Sequence, residues 1–86
     1  MDKTVRAIVG DNIRRRRAEL GYSQEGFAHF AGLARTYYGR VERGQQNISL
    51  ERLIYVAAYL ETSIPELTEG LTSTVCHDFV FGRGRG

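Results

Sequence analysis

Apolar positions along this 86-residue chain recur at spacings of three and four in several short stretches, the pattern of amphipathic helices. Val5, Ile8, Val9, Ile13 and Leu20 share a face of a helix predicted over about Thr4 to Leu20, which Gly21 ends. Gly10 within it reads as a small local penalty. Ser23 is a natural N-cap for a second helix, about Gln24 to Ala31, with Gln24, Phe27, Ala28 and Ala31 on one face. Gly32 breaks the chain. A third helix follows from about Arg35 to Arg43, with Tyr38 and Val41 turned to the core and Gly44 as its terminator. Ser49 opens a fourth helix, about Leu50 to Leu60, whose inner stripe is Leu50, Leu53, Val56, Ala57 and Leu60. A capping box from Ser63 to Glu66, with Pro65 in the first turn, starts a last short helix. After Gly70 the pattern changes. Val75, Phe79, Val80 and Phe81 are β-formers, so residues 71–86, ending in GRGRG, are predicted as a short strand or a flexible arm. The predicted fold is therefore all-α: a bundle of five short helices over residues 1–70, then a C-terminal arm.

A chain of this length supports one compact domain with a modest core, which a partner subunit would reinforce. No run of 18 apolar residues predicts a membrane span, and the first ten residues lack the apolar stretch of a signal peptide. The lone Cys76 excludes an internal disulfide framework and fits a reducing cytoplasm. Cys76, His77 and the distant His29 are too few and wrongly spaced for zinc, so no metal or cofactor is expected. No nucleophile–base set or phosphate loop points to an enzyme. The charge is +2 overall, but unevenly placed. Residues 1–44 carry nine Lys and Arg against five acids, while residues 45–86 carry three against five. A basic first half suits a polyanionic partner.

The segment Ser23 to Gly44, SQEGFAHFAGLARTYYGRVERG, combines a capped helix, a tight glycine turn and a second helix ending in glycine. Arg35, Thr36, Gly39 and Arg40 lie together on the side of that second helix away from Tyr38 and Val41. An arginine holds guanine O6 and N7 with two hydrogen bonds, and a threonine bonds a base edge or touches a thymine methyl. A helix presenting such a face suits the major groove of DNA. Tyr37 either reaches a phosphate or sugar or packs locally.

The stretches SQEGFAHFAGL, RTYYGRVERG and NISLERLIYVAAYLETSIPEL resemble the helix-turn-helix domain of the Cro/repressor class, the XRE type, over about Val9 to Leu67. The fold implied is lambda-repressor-like. Within the class, RTYYGRVERGQQNISL and the short length look most like controller proteins of restriction–modification operons. Phage and chromosomal repressors and antitoxin-type interaction modules are the alternatives. The resemblance implies base contacts from Arg35, Thr36 and Arg40. It implies backbone contacts from Gln24 and from a loop holding Arg43, Gln45, Gln46 and Asn47, although Asn47 equally suits the turn before Ser49. It also implies a partly buried ion pair between Arg17 and Glu42, consistent with Arg17 falling on the inner face of its helix. Arg14, Arg15 and Arg16 then either add attraction to the DNA backbone or form a solvated face. Three features depart from the class: Ala34 replaces a polar N-cap, Glu61 replaces a common glycine, and the tail after Gly70 has no counterpart.

One recognition helix reads few base pairs, so the class pairs two copies on half-sites about one DNA turn apart. Leu53 to Leu60 reads LIYVAAYL, without a polar face. Ile54, Tyr55, Ala58 and Tyr59, with Ile64 and Leu67 nearby, are thus the candidate homodimer surface, unless the tail covers it. The implied partners are a double-stranded DNA operator and a second copy, with RNA polymerase as a further candidate. The implied role is transcription regulation.

Overall fold

The computed structural model describes residues 4–82, and among these it is entirely helical. The elements are α1 (Thr4–Glu19), α2 (Gln24–Phe30), α3 (Arg35–Glu42), α4 (Leu50–Tyr59), α5 (Ile64–Leu67) and α6 (Ser73–Phe81). Hydroxyls start four of them. Ser23 accepts from the Gly26 amide, Ser49 from Arg52, Ser63 from Glu66 and Thr72 from Val75. Ala34 heads α3 with no side-chain cap, so α3 depends on packing more than on its own ends.

The packing is centred on Tyr38, Phe27, Ile13, Leu60, Leu67 and Val56, all fully buried. The Phe27 and Tyr38 rings lie 5.2 Å apart and join α2 to α3. α1 crosses α3 backbone to backbone. A Cβ at Gly10 would collide with the carbonyl oxygens of Val41 and Glu42, the latter at 2.6 Å. Gly10 is therefore a requirement of the fold, not the local penalty that helix propensity suggests. Gly44 closes α3 at φ +71°, and a Cβ there would meet the Ala7 backbone at 2.9 Å.

Two expectations need correction. Leu50, the first residue of α4, is 66% exposed and does not join the inner stripe of Leu53, Val56 and Ala57. The tail is a helix through Phe81, not a strand or arm. Thr72 caps it, and it lies against α1, so the cap and a helical partner override the β-preference of Val75, Phe79, Val80 and Phe81. The Arg-Gly end at 83–86 lies outside the described residues.

The run Arg14 to Arg17 is used within the fold. Arg14 and Arg15 pair with Asp11, at 2.6 and 3.3 Å. Arg16 donates from Nε to the Leu60 carbonyl and from Nη2 to that of Glu61, satisfying the C-terminal end of α4. Asn12, also buried, donates to the carbonyls of Leu67 and Glu69 and fastens α1 to the end of α5. Among the described residues no helix is long and apolar enough to cross a membrane.

Candidate nucleic-acid interface

α2, the turn through Gly32 and α3 form a helix-turn-helix. α3 is held from beneath by Tyr38 and Val41, at 0% and 2% exposure, and from behind by an ion pair. Arg17 Nε lies 2.7 Å from Glu42 Oε2, and Nη2 lies 3.0 Å from Oε1, a two-pronged contact between α1 and α3. Arg17 Nη1 also donates to the Tyr22 carbonyl at 2.8 Å. The Glu42 side chain is 1% exposed. Burial alone would push its carboxyl up. Arg17, then Tyr38 and Gln24, favour the charged form and hold it below the usual carboxylate value. Glu42 in turn raises the Arg17 pKa, and burial pushes the Tyr38 hydroxyl well up.

With α3 fixed on that side, Arg35, Thr36 and Arg40 project outward and are exposed. Arg35 is not free: its Nη1 lies 3.0 Å from Glu25 Oε1 on α2, and both side chains are about two-thirds exposed. Sequence reasoning did not single out Glu25. It lies ten residues from Arg35 across a turn, and no helical periodicity links the two.

Gly39 is a correction. It is buried, because the Gln24 amide and the Arg43 guanidinium lie over it, 3.1 and 3.0 Å from where a Cβ would stand. Gln24 donates from Nε2 to Glu42 Oε1 at 3.0 Å, so it is anchored to the ion pair behind α3 while standing at the first position of α2. Arg43 leans on Gln45, with Nε 3.3 Å from Oε1. Arg43, Gln45 and Asn47 are exposed, and Gln46 is half-buried. Tyr37, also half-buried, lines with Asn47 a groove of about 440 Å³ that also includes Ser49 and Arg52 at the start of α4. Ser49 and Arg52 were missed as neighbours of the interface. Their part in it depends on how the loop folds back beside α3.

A second exposed face is apolar. Phe30, Ile54 and Tyr55 are 51, 51 and 37% exposed. The Tyr59 ring meets Phe30 edge-on at 5.2 Å and Tyr55 at 4.9 Å. The Tyr55 hydroxyl donates to the Ala31 carbonyl at 2.6 Å, tying α4 to the end of α2. Ala58 is exposed on this face. Phe30 belongs to it but was not expected there, since the sequence pattern of α2 shows only its inner stripe. Leu67, expected here, is instead 1% exposed: α5 turns it into the core beneath α1 and α4. Ile64 packs against the same core, half-buried.

Comparison with known proteins agrees with this geometry. The helix-turn-helix family model matches residues 13–67, which span α2 and α3 and their supports. The chain belongs to the helix-turn-helix family, of the XRE type. This XRE-type regulator is 43% identical to the control protein C.SmaI of Serratia marcescens, over 73% of this chain and 75% of that one. It is 39% identical to C.MunI of Mycoplasma sp, over 73% and 86%. Among solved structures it resembles the restriction-modification controller protein C.AhdI of Aeromonas hydrophila, with a TM-score of 0.67 and 40% identity over 72% of this chain and 94% of that one. It also resembles a hypothetical transcription factor from Neisseria, with a TM-score of 0.70 and 38% identity over 79% of each. XRE-type proteins bind double-stranded DNA, and these relatives are regulators rather than enzymes. Among the described residues no group of three or more His, Cys, Asp or Glu could hold a metal ion.

Proposed function

We propose that this regulator is a restriction–modification controller protein that acts in the cytoplasm as a homodimer on paired operator half-sites. Arg35, Thr36 and Arg40 read base edges. Gln24, Tyr37, Arg43, Gln45, Gln46 and Asn47 hold the phosphate backbone. The apolar face of Phe30, Ile54, Tyr55, Ala58 and Tyr59 joins two copies, so that their α3 helices enter successive major grooves about 34 Å apart. RNA polymerase is then the partner through which a bound dimer alters transcription.

The observation that supports this reading best is the asymmetry of α3. Its aromatic side is sealed in the core, while its arginines stand in solvent on a rod that cannot easily rotate. Selection from random DNA tests it by revealing half-site sequence and spacing together. On the selected site, Arg35→Ala should lose about 1–3 kcal/mol of binding, with little change on unrelated DNA. Equal losses on both would make Arg35 a phosphate contact.

A further inference from the structure

Arg52 and Glu61 stand at opposite ends of the aromatic face of α4, and neither has an ion-pair partner among the described residues. Arg52 lies over the Tyr55 ring, its guanidinium carbon 5.4 Å from the centroid. Glu61 borders the open hollow at the other end with Phe30, Ala58 and Tyr59. Between the two charges the surface is apolar. Glu61 is also the non-glycine residue with positive φ among those described, at φ +54°. A glycine would sit there without strain, whereas the turn at Glu61 carries its carboxylate at the edge of this face.

In a two-fold dimer, one patch meets its own copy reversed. Tyr55 and Ala58 share a sequence midpoint with Arg52 and Glu61. An axis passing between Tyr55 and Ala58, with the two α4 helices antiparallel, therefore lays Arg52 of one copy level with Glu61 of the partner subunit. The patch is thus self-complementary in charge as well as apolar.

We infer that Arg52 and Glu61 form a pair of symmetric intersubunit ion pairs that clamp the homodimer in this antiparallel register. The clamp rests on the homodimer reading above and adds to it what sets the register. The apolar centre supplies attraction without direction. The charges at its rim penalise the parallel and shifted arrangements that would misplace the two recognition helices.

Sedimentation of the full chain at low salt is the test. Arg52→Glu and Glu61→Arg should each weaken the dimer about tenfold, because each sets like charges face to face at both ends. Arg52→Glu also completes a capping box after Ser49, so the fold itself should not weaken. An equimolar mixture of the two variants should form a mixed dimer of near wild-type affinity, since both rim contacts are then again of opposite sign. The double variant should recover likewise. Glu51→Gln, the neighbouring charge, should leave the dimer within about twofold of wild type. Single variants that dimerise like wild type, or a mixture with no preference for the mixed dimer, would overturn the clamp while leaving the dimer standing. A wild-type chain that stays monomeric to about 100 μM would overturn the dimer reading and the clamp with it.

Discussion

Gly10 and Val41 are packed so closely that no side chain fits between them: the α1 backbone rests on the last carbonyls of α3. Gly10→Ala would gain about 1 kcal/mol of helix propensity but force the two helices apart. Such overpacking outweighs the gain, and a net loss of about 2 kcal/mol is expected. Thermal denaturation should show it as a fall of roughly 10 °C. Gly39→Ala is the contrasting case. Its Cβ would press on side-chain ends alone, the exposed Arg43 guanidinium and the Gln24 amide that is tied to Glu42, so it should melt near the wild-type temperature and well above Gly10→Ala.

The Arg17–Glu42 contact makes a stronger prediction. Arg17→Ala leaves a carboxylate of 1% exposure without its main partner and should cost about 3–5 kcal/mol. Arg17→Lys, which cannot make the two-pronged contact, should fall between it and wild type. Urea denaturation at neutral pH measures both, and an unchanged midpoint for Arg17→Ala would reject the pair as a support of α3.

Glu42 also gives the fold an acid limit. Its folded pKa is depressed below the ordinary value of 4.5, so the unfolded chain takes up the proton first as pH falls. The stabilisation is complete above the ordinary value and is lost as pH drops through the depressed one. Below about pH 4.5 the wild-type melting temperature should therefore fall more steeply than that of Glu42→Gln, whose site does not titrate. Parallel curves for the two proteins would show that other carboxylates set the acid limit.

Glu25 sits on the proposed DNA side and holds Arg35 by a contact of 3.0 Å. Glu25→Gln removes a negative charge that opposes phosphate and releases the arginine. Operator affinity should rise several-fold at low salt, with the difference shrinking as salt increases. Weaker binding by this variant in fluorescence anisotropy would mean that the carboxylate instead aims Arg35 at its base.

Glu61 is held at φ +54°, a conformation disfavoured by roughly 1 kcal/mol for a side chain with a Cβ. Glu61→Gly should raise stability by about that amount when melted at concentrations too low for association. No gain would place compensating contacts around the Glu61 side chain.

Helical periodicity and capping chemistry were enough, from the sequence alone, to place α1 to α4 within a residue of each end and to place the start of α5. Tyr38 and Val41 on one side of α3, and Arg35, Thr36 and Arg40 on the other, followed from the same spacing, because side-chain direction within a helix is a local property. What depended on other parts of the chain was decided only by the tertiary structure. Gly10 became indispensable because a second backbone crosses there. Leu67 was drawn inward by its neighbours, and Arg16 became a cap for α4. Glu25 became the partner of Arg35 only when two helices met at a turn. The tail became a helix because α1 offers it a surface, where isolated β-propensity argued otherwise. The physical reason is common to all five: burial, close approach and pairing arise between segments distant in sequence, and no local pattern records which segments will meet.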